Sequence, residues 1–473
     1  MVILLATPWY LHQLGIAGYG VISLWLVMQI LVGLLDAGMG ATLVRGFSTS
    51  HDGDFKTLLY RQNLLRTLEI FYWLISICFG VSFFAASSWI GSSWLGNNFL
   101  PNQDVVLVLR LMGIGLCIQF PCSLYLNGLG GLHKHREMNL FQVLGNTLRY
   151  GVGALVLLWT SNLLVFFLMQ ILVAIVIVAS VRVALWRQIS NLLICIKPKF
   201  RLEILKKVGS FSAGMGVNAL VAILLANIDR LALSKMTTAY DIGEYSLAFT
   251  AVGLLQLGIQ PFYRVFFPKY SHLASQGNVL ALKKEYFYSC QLLAAGIIPL
   301  GIVGWVYAPE LLNGWLGNVP NQVVEIFRWL LVGICCSGLT WLPAAFQQSQ
   351  GLTRLHIQMM LGALVIGFPI MIWMISIYGA IGATAVWVIH GISDLTIGLW
   401  LMHKRFLIGE LSSWYKSVLL MPVIISGAIA YISWLLMPMG NSRLFGVFWS
   451  ISILILIASI TLFLVHKIKF KLN

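Results

Sequence analysis

Apolar runs of about twenty residues, separated by short polar breaks, recur from one end of the chain to the other. Each is long enough to cross a hydrocarbon core of about 30 Å at about 1.5 Å per residue. They fall near residues 1–11, 19–44, 67–91, 105–127, 140–159, 163–185, 208–228, 244–263, 286–308, 323–346, 355–377, 380–402, 417–437 and 444–466. In lipid, backbone polar groups have to be satisfied within the segment, so the runs predict helices and not strands. The expected fold is an all-α polytopic membrane protein of about fourteen spans, the first truncated, since about ten residues before Leu11 are too few to cross. Either this helix is truncated or the start site is misassigned, in which case an in-frame upstream coding extension of about twenty mostly apolar residues is expected.

Composition supports a lipid setting. Of 473 residues, 10% are charged and 59% hydrophobic, against about 25% charged in soluble domains. No soluble domain fits between the spans. The net charge of +15 would suit nucleic acid, but the basic residues lie in short loops and form no continuous stripe, so nucleic acid is not expected as a partner. Most of them follow even-numbered spans, among them Arg45, Arg61, Arg66, Arg182, Arg187, Lys404 and Arg405. That bias places both termini on the cytoplasmic side of the cytoplasmic membrane. The amino terminus has no basic segment before Asp36 and does not read as a removable signal peptide. The seven cysteines form no CxxC pair and read as small hydrophobes. The His133–His135 run has no second ligand cluster nearby, and neither a metal nor a cofactor is expected.

An internal repeat organises the chain. Trp94, Leu95, Gly96, Asn97, Pro101, Asn102, Gln103 and Arg110 reappear in order as Trp315, Leu316, Gly317, Asn318, Pro320, Asn321, Gln322 and Arg328. Gly131 and Leu132 continue the register as Gly351 and Leu352. A repeat of about 220 residues contains six spans, an even number, so the two copies keep one orientation. Duplicated bundles of this kind favour a transporter that opens alternately to either side. The plainer alternative is a reusable loop, with tryptophan at the headgroup level and asparagine and proline in the turn.

Ionisable groups inside spans cost about 2.5–3.5 kcal/mol on insertion scales and are therefore site candidates. Arg149 lies deep in its span, too far from either surface to snorkel easily. Arg110 and Arg328 occupy matching places in the two repeats, and Asp229 with Arg230 closes the seventh span; snorkelling is the alternative for these. Asp36, close to Arg45 in the stretch DAGMGATLVR, pairs with a lumen arginine or makes a structural salt bridge. Asp394 and His390 share one helix face and form either a proton relay or a packing hydrogen bond. Asp36, Asp229, Asp394 and His390 are thus the candidates for ion coupling. A lumen richer in arginine than in carboxylate suits an anionic passenger, because guanidinium grips phosphate or carboxylate oxygens in pairs.

With these residues in view, the sequence resembles the polysaccharide-exporting branch of the multidrug/oligosaccharidyl-lipid/polysaccharide (MOP) superfamily, which includes O-antigen flippases. The resemblance rests on LHQLGIAGYGVISL with Gly15, Tyr19 and Gly20, on LLDAGMGATLVRGFS, on the WLG loops, and on IDRLALS and GEYSLAF around Asp229, Arg230 and Tyr245. It covers nearly the whole chain. The resemblance implies a MATE-like fold of two pseudo-symmetric six-helix lobes, 1–207 and 208–415, with two additional helices in 416–473. It further implies a cationic cavity and alternating-access transfer of an undecaprenyl-pyrophosphate-linked oligosaccharide to the outer face, without catalysis, for surface polysaccharide such as lipopolysaccharide O-antigen. Asp36, Arg45, Arg149 and Arg230 become candidates for the cavity or its gate. The expected partners are the lipid-linked oligosaccharide, the bilayer, and the polysaccharide polymerase and glycosyltransferases of the same pathway. A multidrug or cation antiporter of the same fold would need an acidic pocket, whereas Asp36 and Asp394 are the only deep carboxylates read here. A membrane polymerase or acyltransferase would want a large outer loop, and the outer loops are short.

Overall fold

A computed structural model of the protein describes residues 2–36, 38–48, 55–96, 105–189, 200, 223–224, 226–351, 353–438 and 443–472. Among these residues there are helices and turns but no strand, as expected for a chain whose polar backbone must be satisfied in lipid. Ten of the described helical stretches are long and apolar enough to cross a bilayer. The expected span at 208–228 falls almost entirely outside the described residues. The chain divides into two compact units, Met1–Gly243 and Glu244–Asn473.

In the first unit, helix Val2–Val32 is interrupted at Gly15, whose φ of 69° an L side chain rarely adopts. The two runs expected at 1–11 and 19–44 are therefore joined through a kink. The second ends earlier than expected. A 3-10 turn, Gly33–Asp36, closes it, Gly38 takes a positive φ, and a separate helix, Met39–Ser48, follows. Conversely, the third expected run starts twelve residues sooner, because helix Phe55–Trp89 includes the polar stretch before Thr67. Gln62, Asn63, Thr67 and Glu69 on that stretch are buried, and the Gln62 amide donates to the Ile189 carbonyl at 3.2 Å. What resembles a loop by composition is a helix with an inward polar face. Helix Val105–Gln119 breaks at Phe120–Pro121 and resumes as Cys122–Gly131. Helix His135–Thr147 runs through a π turn, Leu148–Val152, into Gly153–Trp159, and Leu163–Ile189 follows. Tyr10, Trp25, Phe166 and Phe167 form an edge-to-face core, and the Tyr10 hydroxyl donates to the Tyr150 carbonyl at 2.7 Å.

The second unit repeats several of these local features. Helix Asn321–Leu339 breaks at Thr340 and resumes as Trp341–Ser349, matching the break after Gln119. Gly317 ends helix Ala308–Leu316 with φ 85°, as Gly96 ends the π turn Ile90–Leu95 with φ 77°. Helices Asn321–Leu339 and Ala385–Ser393 cross with their backbones touching. A Cβ on Gly333 would meet the Trp387 carbonyl and the Val388 nitrogen, and one on Gly391 would meet the Gly333 carbonyl. Small residues at such a crossing let dispersion and weak polar contacts replace the hydrophobic drive that lipid does not supply. A π turn, Asp394–Gly398, leads from Ala385–Ser393 into Leu399–Phe406. The last two helices, Met421–Leu435 and Arg443–Leu472, pack on Val279–Val306. There Ser433 accepts from Tyr307 and Trp449, and Thr461 donates to the Ala295 carbonyl.

Candidate functional site

Arg149 lies within the π turn Leu148–Val152, 9% exposed. The extra residue in such a turn re-aims a side chain that an unbroken α-helix would direct elsewhere. Its carbonyl accepts from the Gln170 amide at 3.0 Å, while its Nε has no hydrogen-bond partner among the described residues. The guanidinium lines a cavity of about 230 Å³ with Gln29, Gln119, Ser123, Gln142 and Asn146, and is the only charged group among the described residues of that lining. Gln29 Nε2 is likewise buried without a partner. Buried polar groups are almost always bonded, so two unsatisfied donors around one cavity mark a place for an acceptor. The volume corresponds to several waters at about 30 Å³ each, enough for a phosphate-sized anion.

Asp36 adjoins this cavity. It ends the turn that begins at Gly33, a lining residue, and its carboxylate accepts from the Gly40 N–H at 3.0 Å and from the Tyr72 hydroxyl. Tyr72 stacks at 5.1 Å on Phe120, another lining residue. Asp36 thus serves as the cap of helix Met39–Ser48. Asp36→Ala is expected to cost about 2–4 kcal/mol, combining a lost cap with an orphaned buried hydroxyl, whereas Asp36→Asn keeps an acceptor oxygen and most of the stability. Thermal unfolding of the two purified variants checks this ordering.

The other sequence candidates are placed elsewhere. Arg110 donates through Nε to Ser87 Oγ at 3.2 Å and lies 4.7 Å from the centre of the Phe84 ring. Arg328 donates through Nε to the Trp305 carbonyl at 3.1 Å, pairs with Glu325 and lies over the Trp305 ring. Arg110 and Ser87 stand at the same residue offset from Arg328 and Trp305, so the repeat extends to a bond that ties each arginine to the preceding long helix. Neither arginine lines the Arg149 cavity. Asp229 is fully buried and accepts from the Arg230 N–H at 2.8 Å, on the helix of residues 226–236. Arg45 is exposed in the last turn of Met39–Ser48. In the second unit His390 Nε2 stands 3.5 Å from Asp394 Oδ2, one helical turn apart at the π turn Asp394–Gly398.

A second polar cluster was not read from sequence. Glu69, 2% exposed, accepts from Arg182 at 2.5 Å, Arg66 at 3.0 Å and Tyr125 at 2.8 Å, and Trp73 in turn donates to Tyr125. The available signal was an acidic residue two positions inside an apolar run, next to Arg66. No group of three or more His, Cys, Asp or Glu side chains suited to a metal occurs among the described residues.

A bundle of long apolar helices, with broken partners at equivalent places in its two halves, is a fold that known membrane proteins share. Two solved structures share it. One, a lipid II flippase MurJ in an inward closed conformation, has a TM-score of 0.74 at 13% identity, over 97% of this chain and 96% of that one. The other, an inward-facing multidrug resistance MATE family transporter, has a TM-score of 0.68 at 15% identity, over 88% and 96%. In sequence, the chain is 24% identical over 393 residues to a Shigella flexneri protein named "Putative O-antigen transporter", covering 82% of this chain and 90% of that one. Residues 4–274 match the model of the polysaccharide biosynthesis protein family, and the chain belongs to that family.

Proposed function

We propose that the protein is a flippase that carries an undecaprenyl-pyrophosphate-linked oligosaccharide across the cytoplasmic membrane by alternating access, both termini being cytoplasmic, for surface polysaccharide synthesis. The observation that carries this reading is the Arg149 cavity, where a buried guanidinium and an unpartnered amide face space and the adjoining carboxylate, Asp36, is already bonded to Gly40 N–H and the Tyr72 hydroxyl. Guanidinium binds phosphate oxygens through paired N–H groups, and low dielectric strengthens that grip. The family membership and the O-antigen and lipid II relatives support the lipid-linked class of passenger. A cation antiporter, in contrast, would need an acidic binding pocket, and no carboxylate is among the described residues that line this cavity.

A passenger bound equally well from both faces is not pumped, so direction requires an ion gradient or removal of product. The Asp394–His390 pair and the buried Asp229 are the candidates for coupling. The test is reconstitution of the purified chain in liposomes with a fluorescent polyprenyl-pyrophosphate oligosaccharide on one leaflet. Transfer at least tenfold above empty liposomes is expected. Transfer at the empty-liposome rate, from protein that is folded and correctly inserted, removes the proposal.

A further inference from the structure

The Glu69 cluster opens on a groove that the transport reading does not use. Its volume is about 650 Å³, and its walls are Ile70, Leu74 and Ile77 on helix Phe55–Trp89 and Ile175 on helix Leu163–Ile189, with Ile118 between them. Leu74 and Ile77 are 57% and 54% exposed, and Ile70 and Ile175 are exposed as well, so the groove faces outward from the first unit. One end carries Arg66 and Arg182, whose side chains are 41% and 42% exposed, both bonded to the buried Glu69. Two guanidinium groups share one carboxylate, which leaves a net positive charge at that end.

The dimensions identify the occupant. From Arg66 to Ile77 the helix rises about 16 Å at about 1.5 Å per residue, close to one leaflet of a hydrocarbon core about 30 Å thick. A cationic end above a leaflet-length apolar trough matches a lipid with an anionic headgroup, and basic pockets between spans bind such headgroups. Glu69 fixes both arginines before any ligand arrives, so little side-chain entropy is lost on binding. Trp73, held through Tyr125, lies beside the charged end, where an amphipathic ring suits the boundary between headgroup and chain.

We infer that this groove is a binding site for an anionic glycerophospholipid of the bilayer, distinct from the Arg149 cavity. The lipid seats its phosphate on Arg66 and Arg182 and lays one acyl chain along Ile70, Leu74 and Ile77. The site stands independently of the transported passenger, since it rests on charge and length alone.

Native mass spectrometry of the full chain, released from detergent with added phosphatidylglycerol or phosphatidylcholine, tests it. Phosphatidylglycerol is expected to bind at least tenfold more tightly than phosphatidylcholine. That preference is expected to fall to near unity in the Arg66→Gln, Arg182→Gln double variant. Because that variant leaves Glu69 buried without its arginines, a second variant, Ile175→Trp, fills the trough and keeps the ion pairs. It is expected to lose phosphatidylglycerol by a similar factor. Equal binding of the two lipids, or unchanged phosphatidylglycerol binding in Ile175→Trp, overturns the inference. So does displacement of phosphatidylglycerol by an equimolar polyprenyl pyrophosphate that the same variants also lose, which would make the groove an entry path for the passenger.

Discussion

Cells whose only copy carries Arg149→Ala are expected to lose at least nine-tenths of their surface polysaccharide while the protein accumulates normally. A charge-assisted hydrogen bond is worth about 1.5–3 kcal/mol, which corresponds to roughly a ten- to hundred-fold loss for a passenger held by one guanidinium. Stability should not fall with activity. An arginine buried without an acidic partner pays a desolvation cost that alanine does not, so removal relieves the fold while it empties the cavity of its charge. Arg149→Lys separates charge from shape, since ammonium keeps the charge but not the planar fork, and an intermediate loss is expected. Quantified surface glycan beside immunoblotted protein checks both variants. Normal glycan in Arg149→Ala at normal protein levels would take the residue out of the mechanism.

The second large effect is on folding. Gly333→Val places methyl groups against the backbone of Trp387 and Val388, which cannot move aside as a flexible side chain can. Overpacking typically costs about 1–3 kcal/mol, and contact with backbone puts this substitution at or above the upper end. The expected result is a sharp drop in monodisperse protein in detergent and a clearly lowered unfolding temperature. Gly427→Ala serves as the comparison, because a Cβ there meets nothing within 4 Å, and it should behave as the parent does. Equal melting of Gly333→Val and the parent would mean that the two helices do not cross as closely as described.

The parts of the fold that depend on local chemistry were legible in the sequence. The WLG motif pointed to the repeat, and its glycines, Gly96 and Gly317, both take positive φ where a helix ends. Arg149 stood out through depth alone, since its distance from either end of an apolar run is a property of the run itself. Arg110 and Arg328, for which snorkelling was the alternative, end on Ser87 and Trp305, because the face a side chain takes is decided by the neighbouring helix and not by its own. Glu69 escaped for a related reason. It lies at the polar edge of a run, where carboxylates are ordinarily solvated, and it is buried by an arginine 113 positions later in the chain. The polar segment before Thr67 misled in the same way, since composition alone does not tell an inward polar face from a loop.

The bonds of Arg110 to Ser87 and of Arg328 to Trp305 brace equivalent pairs of helices in the two repeats. Arg149 has no such counterpart. Helix Thr353–Tyr378, which follows the second break as His135–Thr147 follows the first, carries Arg354 at its start and no other lysine, arginine, aspartate or glutamate. The bracing arginine thus stands in both repeats, and the buried cavity arginine in the first alone. If Arg149 is the proposed anion grip, a chimera made from two second halves would keep both girders and have no hand for an anionic cargo.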